Sequence, residues 1–210
     1  MRAIRRGLAT VFLGTVVATG ASGESAAVLG DAARGRAVFE AKECAGCHLP
    51  RHSGRGVGPP LEVVRRPQGT LELAGRLWNH APMMLAALLG KQGLGWPELT
   101  PSQMADLMAY LQADPSRDPT PERLQGQVLL VRKGCLKCHR LRGEGGSVGI
   151  ELTSHPGRYQ SPVVWATAVW NHAPRMAGHA GRLGILYPRF SGDEMVHLVE
   201  FLKTTAAAPR

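Results

Sequence analysis

Apolar side chains recur at helical spacing in two stretches of the chain, residues 102–112 and residues 191–204. The apolar positions are Met104, Leu107, Met108 and Leu111 in the first stretch and Met195, Leu198, Val199 and Leu202 in the second. Spacings of three and four residues place these side chains on one helix face, so the pattern predicts an amphipathic helix in each stretch. Another helix is predicted over residues 34–43, because Asp31 is a suitable N-cap residue just before it.

The two amphipathic stretches belong to a tandem repeat whose copies lie 91 or 92 residues apart. The longest match aligns WNHAPMM at residues 78–84 with WNHAPRM at residues 170–176. Self-similarity at a fixed offset is the signature of a repeated structural unit. The sequence therefore predicts two homologous domains, residues 24–114 and residues 121–210.

Residues 115–120 are predicted to be a proline-rich linker between the two domains. Three prolines fall within residues 113–121, a composition that favours a stiff, extended connection without a helix. Within each domain, the residues that precede the last helix are rich in glycine and proline. This composition predicts irregular loops and short helices in the middle of each domain.

Both repeats contain a five-residue run with two cysteines and a histidine, CAGCH at residues 44–48 and CLKCH at residues 135–139. The pattern C-x-x-C-H is the attachment signal for c-type haem. Two thiols on one short turn can form thioethers with the two vinyl groups of one porphyrin, and the histidine then ligates the iron. The sequence therefore predicts two covalently bound haem c groups. The attachment residues would be Cys44, Cys47, Cys135 and Cys138, and the proximal ligands would be His48 and His139.

Two other uses of paired cysteines are less well supported by the sequence. The two C-x-x-C pairs could bind one zinc ion, or each pair could be a redox dithiol. A zinc site does not require a histidine after both pairs, and a redox dithiol usually lies beside a βαβ pattern that this chain lacks. The repeated histidine therefore favours haem.

Residues 31–204 resemble the class I cytochrome c family twice over. In that family a glycine and an aromatic residue on the first helix meet an aromatic residue on the last. The matching residues are Gly35, Phe39 and Tyr110 in the first copy and Gly126, Leu130 and Phe201 in the second. The resemblance implies an all-α fold of two tandem cytochrome c-like domains, each a small helical fold around one haem.

The family also has a Gly-Pro-x-Leu loop after the haem motif. The proline carbonyl of this loop accepts the ring N–H of the proximal histidine, and the leucine packs on the haem. The first copy reads GPPL at residues 58–61 and the second reads GIEL at residues 149–152. The second loop lacks both prolines and is therefore expected to be less rigid.

The resemblance places the distal iron ligand in the repeated WNHAPxM segment. Met84 pairs with Met176 in the repeat, whereas Met83 pairs with Arg175, so Met84 and Met176 are the predicted ligands. A methionine ligand would give a higher reduction potential than a second histidine. The alternative ligands in the same segments are His80 and His172.

Other repeated or conspicuous residues are given structural roles. Met104 and Met195 lie within the apolar helical stripes, so core packing is expected for both. Trp78 and Trp170 are expected to form walls of the haem sites or to contact the haem propionates, with ordinary core packing as the alternative. The remaining histidines have no repeated partner and are expected to be surface or local hydrogen-bonding residues. They are His52, His155, His179 and His197.

Residues 1–23 are predicted to be a secretory signal peptide. Three arginines precede an apolar run over residues 8–21, and small residues follow it. The run is too short for a comfortable membrane span, so an uncleaved anchor is the weaker alternative. Because bacteria attach haem covalently outside the cytoplasm, the expected location is the periplasm.

The chain is basic, with a formal net charge of +9 at pH 7. Residues 121–210 carry twelve basic and six acidic residues, against nine and eight in residues 31–114. This excess fits either a solvated basic surface or docking to an acidic redox partner through electrostatic steering. Nucleic acid is not expected as a partner of an exported protein without a recognition motif.

The resemblance implies a periplasmic dihaem protein that carries single electrons between a donor and an acceptor protein. No substrate would bind at iron, so the chain is not expected to be an enzyme. One alternative is a dihaem enzyme, which would be either a peroxidase or an enzyme that oxidises sulfur compounds. Such an enzyme needs an open iron site. Another is the electron-transfer subunit of a larger oxidoreductase, either membrane-bound or multi-subunit.

Overall fold

The computed structural model describes residues 30–53, 57–90 and 95–208, and the predicted signal peptide lies outside these ranges. The described residues are mostly helical, as expected. The helices are α1 (Ala32–Ala41), α2 (Leu61–Val64), α3 (Thr70–Leu89), α4 (Pro101–Tyr110), α5 (Arg123–Arg132), α6 (Pro162–Arg182) and α7 (Glu194–Ala207). Strands β1 (Arg140–Leu141) and β2 (Glu144–Gly145) form a small antiparallel ribbon, with Arg140 opposite Gly145. None of the described helices combines the length and apolar character needed to cross a membrane.

The first and last helices of each half cross at a glycine. Helix α1 packs on α4 in the first half, and α5 packs on α7 in the second. A Cβ atom on Gly35 would lie 1.9 Å from the carbonyl oxygen of Asp106, and one on Gly126 would lie 2.0 Å from that of His197. Only glycine allows the two backbones of each pair to approach this closely.

A side chain from each last helix anchors the start of the first helix. Asp31 caps α1, as predicted, and its own N–H donates to the carboxylate of Asp106 at 2.7 Å. At the equivalent place in the second half, the N–H of Glu122 donates to Nδ1 of His197 at 2.9 Å. His197 is 4% exposed, so its role is local hydrogen bonding within the core.

The middle of each half differs from the sequence prediction of irregular loops and short helices. Helices α3 and α6 are 20 and 21 residues long, and they run through Pro82 and Pro174 respectively. An interior proline deprives the carbonyl four residues earlier of its helical hydrogen bond. In α6 that carbonyl belongs to Trp170, and the indole N–H of Trp96 donates to it at 3.2 Å. An outside donor thus compensates for the bond that Pro174 removes.

Helices α3 and α6 also pack on each other and join the two halves. Helix α3 contacts α7 and helix α6 contacts α4, so each long helix reaches the last helix of the other half. Buried apolar residues of both halves consequently form one continuous core.

The linker contains a short helical turn, so the prediction of a connection without a helix is wrong. Residues Pro115–Arg117 form a 3-10 turn, with the Asp114 side chain accepting a hydrogen bond from the N–H of Ser116. The Asp118 carboxylate then accepts from the N–H groups of Leu71 and Glu72 at the start of α3, which otherwise lack partners. These contacts tie the linker to the first half.

Candidate haem-binding sites

Each C-x-x-C-H run forms one tight 3-10 turn, over Cys44–Gly46 in the first half and Cys135–Lys137 in the second. The N–H of His48 donates to the Cys44 carbonyl at 2.9 Å, and that of His139 donates to the Cys135 carbonyl at 3.0 Å. The turn therefore holds both cysteines and the histidine on one compact segment, as attachment to a single porphyrin requires.

The residue before each turn adopts the left-handed backbone conformation. It is Glu43 with φ 60° in the first half and Gly134 with φ 72° in the second. Glycine adopts this conformation without a steric penalty, whereas glutamate does so at a cost. The same backbone geometry is thus kept in both halves despite different residues.

The proximal histidines are buried and oriented by backbone carbonyls. His48 Nδ1 donates to the Pro59 carbonyl at 2.9 Å, and His139 Nδ1 donates to the Ile150 carbonyl at 3.1 Å. Because a carbonyl can only accept, Nδ1 carries the proton in each ring and Nε2 keeps a free lone pair for a metal. These are the two hydrogen bonds expected from the sequence.

A glycine fits against each proximal ring. A Cβ atom on Gly58 would lie 2.6 Å from Cε1 of His48, and one on Gly149 would lie 2.5 Å from Cε1 of His139. Any side chain at these positions would displace the imidazole, which explains the glycine that opens both loops.

The second loop is held by Glu151 in place of the prolines of the first. Its carboxylate accepts hydrogen bonds from the N–H groups of Arg142, Gly143 and Thr153, at 2.8 to 3.0 Å. Burial alone would raise the pKa of Glu151, but these bonds, with one from the Thr153 hydroxyl, lower it to about 2. Glu151, to which the sequence analysis assigned no role, thus holds the second loop by hydrogen bonds, and the expected difference in rigidity between the two loops stays a prediction.

Each proximal histidine faces a largely apolar cavity. The first cavity is about 310 Å³ and its walls include Cys44, His48, Leu73, His80, Met84 and Leu107. The second is about 320 Å³ and its walls include Cys135, Cys138, His139, His172, Met176 and Leu198. All predicted site residues of each half except Cys47 thus border the cavity of that half, and Cys47 lies on the same turn as Cys44.

Helix α3 brings both candidate distal ligands to the first cavity. The ring centroids of His48 and His80 are 5.5 Å apart, and Met84 lies one helical turn after His80. His80 Nε2 is buried without a hydrogen-bond partner among the described residues. A buried ring nitrogen without a partner, so close to the proximal histidine, is what a site for a metal-centred group would leave.

Helix α6 repeats this arrangement in the second cavity with His172 and Met176. Burial, followed by the nearby His48, lowers the pKa of His80, and burial followed by His139 lowers that of His172. Both imidazoles are therefore neutral at pH 7, and each has a lone pair that could bind a metal. The histidine and the methionine of each half are thus both possible ligands. The geometry places methionine and histidine together and leaves the choice predicted from the sequence, Met84 and Met176, untested.

The other methionines of the repeat lie in the core. Met104 is 0% exposed and Met195 is 1% exposed. The Met195 sulfur accepts a hydrogen bond from the indole N–H of Trp165 at 3.2 Å. Both therefore take the packing role expected for them.

Basic side chains border both cavities. The first is lined by Lys42, Arg76 and Arg189, and the second by Lys133, Arg158 and Arg175. Positive charge at the rim of an apolar cavity would offset the negative charge of haem propionates. Apolar walls, paired cysteines, a ring nitrogen free for iron and a basic rim together fit a haem in each cavity.

The cysteines do not fit the alternative chemistries as well. Burial raises the pKa of Cys44 and Cys135 to about 11, which disfavours the readily formed thiolate of a redox dithiol. Within the residues that the structure describes, no group of three or more His, Cys, Asp or Glu side chains is arranged to hold a metal ion.

Both repeated tryptophans are buried and line a cavity, and in each case it is the cavity of the other half. Trp78 of the first half lines the second cavity, and Trp170 of the second half lines the first. Each docks against a short segment of the other half, residues 187–190 and residues 96–99 respectively. Sequence reasoning missed these segments, although the repeat pairs Trp96-Pro97 with Tyr187-Pro188 at the same offset of 91.

Comparison with known proteins covers the first half of the chain. Residues 32–113 match the sequence model of the family described as cytochrome c. No significant match is found among curated proteins. The matched range contains the first C-x-x-C-H turn, helix α3 and the α1–α4 pair.

Proposed function

We propose, on the premise that residues 32–113 are a cytochrome c domain, that the whole chain is a dihaem c-type cytochrome. It would carry single electrons between redox proteins in the periplasm, after export by the signal peptide at residues 1–23. A cytochrome c domain itself implies covalently bound haem and electron transfer. The proposal adds to this a second haem, a location in the periplasm and the axial ligands of both irons.

The observation that carries the proposal is the recurrence of one complete site in both halves. Each half has the same cysteine turn, the same orienting bond on the proximal histidine and a cavity of nearly the same size. An alternation of Fe(II) and Fe(III) within such a site supplies electron transfer without a bound substrate. Two equivalent sites favour a carrier, because a haem enzyme needs one iron with an open position.

The residues proposed to hold the two haems act in three ways. The thioether bonds would come from Cys44, Cys47, Cys135 and Cys138, the proximal bonds from His48 and His139, and the distal bonds from Met84 and Met176. The Pro59 and Ile150 carbonyls keep the proximal rings oriented and increase their basicity. The apolar walls exclude water from the iron and so favour retention of both axial bonds.

The proposed partners are redox proteins with acidic docking surfaces. The excess of basic residues lies in the second half, where residues 121–210 carry twelve basic and six acidic residues. Steering by these charges would accelerate encounter with an acidic partner and weaken as salt is added. A membrane-bound or multi-subunit oxidoreductase is one such partner.

The test of the dihaem proposal is the haem content of the exported protein. The full chain is produced in a bacterium with periplasmic haem attachment, and its intact mass and pyridine haemochrome are measured. We expect two haems per chain, one after Cys44→Ser with Cys47→Ser, and one after Cys135→Ser with Cys138→Ser. A single haem in the unaltered chain, or recovery in the cytoplasmic fraction, would contradict the proposal.

A further inference from the structure

The repeated Trp-Asn pair of each half is bound by the other half. In this exchange, each tryptophan lines the haem cavity of the half that binds it. We propose that Trp170 is a positioning residue for the haem of the first cavity and Trp78 for that of the second. Each half would then tune the haem carried by the other. This inference rests on the proposed function, since it requires haem in both cavities.

Trp78 of α3 is held in the second half by three contacts. Its indole N–H donates to the Pro188 carbonyl at 2.6 Å. Its ring stacks on Tyr187, with centroids 4.8 Å apart and planes 21° apart, and meets Phe190 edge-on at 6.0 Å. Tyr187, Pro188 and Phe190 all border the second cavity, as Trp78 does. Trp78 is thus a wall of the haem site that its own half does not contain.

Trp170 of α6 makes the reciprocal contacts in the first half. Its indole N–H donates to the Pro97 carbonyl at 2.8 Å, and its ring lies 4.5 Å from that of Trp96. Trp96 returns a hydrogen bond to the Trp170 carbonyl, the group that Pro174 leaves without a helical partner. Trp170 and Pro97 both border the first cavity. Pro174 therefore leaves the Trp170 carbonyl free to accept the hydrogen bond from Trp96.

The asparagine that follows each tryptophan clamps the same segment through two bonds. The Asn171 side chain accepts from the Leu99 N–H at 2.9 Å and donates to the Leu99 carbonyl at 2.8 Å. Asn79 accepts from the Phe190 N–H at 2.8 Å and donates to the Phe190 carbonyl. A two-bond clamp fixes both the position and the direction of a backbone segment, and both clamped residues border a cavity.

Helix geometry explains how one segment serves two sites. Residues two apart on an α-helix point in directions that differ by about 200°, whereas residues four apart share a face. Trp78 therefore faces the second half, while His80 and Met84 face the first cavity. A movement of α3 relative to the second half would therefore displace His80 and Met84 at the first cavity and Trp78 at the second.

The proposal can be tested because it names which haem each tryptophan should affect. A tryptophan that acts within its own half would alter the haem of that half, whereas the proposal predicts that it alters the haem of the other half. Trp170→Phe and Trp78→Phe keep an aromatic ring but lose the indole N–H. In the oxidised holoprotein, the hyperfine-shifted haem methyl resonances are assigned through contacts with Leu73 in the first cavity and Leu198 in the second. Each haem is also assigned a potential by following these resonances through a redox titration.

We expect Trp170→Phe to shift the resonances and potential of the first haem more than those of the second, and Trp78→Phe to do the reverse. Asn171→Ser, which breaks the clamp on Leu99, should again affect the first haem and provides a second variant if a tryptophan variant does not fold. Lys203→Ala, an exposed change on α7, is the control and should move neither haem.

The inference is overturned if each tryptophan variant mainly moves the haem of its own half, or if neither variant exceeds the control. Failure of the proposed function is a separate result, since it would be seen beforehand as a single haem in the intact mass of the unaltered protein.

Discussion

At the scale of single residues, the two sites are defined by which nitrogen or sulfur atom remains free to bind iron. The Pro59 carbonyl occupies Nδ1 of His48, so only Nε2 of this ring can ligate a metal. On the opposite side, His80 Nε2 has no partner among the described residues, and Met84 lies one turn away on the same helix. The proximal bond is therefore fully prepared by the fold, whereas the distal bond is a choice between two neighbours.

Met84→Ala separates these two candidates. If Met84 is the ligand, the variant should open one iron, lower the potential of that haem and allow the reduced protein to bind carbon monoxide. The measurements are the absorption spectrum with and without carbon monoxide and a redox titration. Met83→Ala is the matched control, because Met83 also borders the first cavity but is 64% exposed and pairs with an arginine in the repeat.

The contrary result would be an unchanged spectrum and potential in Met84→Ala. His80→Ala should then produce the opened iron instead. Met176→Ala and His172→Ala repeat the comparison in the second half, where the same pair of side chains borders the cavity.

At the scale of helices, the crossing of the first and last helix closes each half around its cavity. The crossing depends on Gly35 and Gly126, since a Cβ atom at either position would enter a backbone carbonyl of the opposite helix. Backbone atoms inside a helix cannot move aside as the end of a flexible side chain can. Each pair must therefore separate if the glycine gains a side chain.

Gly35→Ala should lower the free energy of unfolding by about 1–3 kcal/mol, the usual cost of overpacking, despite the better helix propensity of alanine. Urea denaturation of the holoprotein, followed by circular dichroism, measures the change. Gly181→Ala is the control, because it lies in α6 with open space around it and should be neutral or slightly stabilising. Equal stability of the two variants would contradict the close crossing.

Local signals in the sequence predicted α1, α4 and α7 but not the long helices α3 and α6. Asp31 as an N-cap and the apolar stripes of α4 and α7 correctly located the first and last helices. The glycine and proline content of the middle of each half predicted irregular loops, but α6 continues through Pro174 with the help of a donor from the distant Trp96. Long-range partners of this kind leave no trace in local periodicity.

The candidate sites were predictable to a similar extent. The short, fixed spacing of the C-x-x-C-H runs marked the cysteines and both proximal histidines, and the resemblance to class I cytochromes c implied the carbonyl partners of the two histidines. The exchange of Trp78 and Trp170 was missed, because a repeat shows that two segments are alike and not what each segment touches. Glu151 was missed because its support of the second loop depends on the β1–β2 turn.

At the scale of the whole molecule, the two halves share one core. Helices α3 and α6 contact each other and the last helix of the opposite half, and the two Trp-Asn pairs bind across the interface. Neither half therefore has a complete cavity wall without the other. Independent unfolding of one half would expose both apolar cavities to water.

We expect the holoprotein to unfold in a single cooperative transition. Differential scanning calorimetry would test this, with equal calorimetric and van't Hoff enthalpies as the criterion for a two-state process. Two resolved transitions would show that the halves unfold separately, and the shared core would then contribute little to stability.

The absorption spectrum of the purified protein, oxidised and reduced, with haem quantified and carbon monoxide added, tests the central claim most directly. A dihaem electron carrier with methionine ligands should show two c-type haems per chain, a sulfur-to-iron charge-transfer band of two-haem intensity and no change with carbon monoxide. Binding of carbon monoxide by the unaltered reduced protein would show an open iron. That result would contradict the carrier function and favour a haem enzyme.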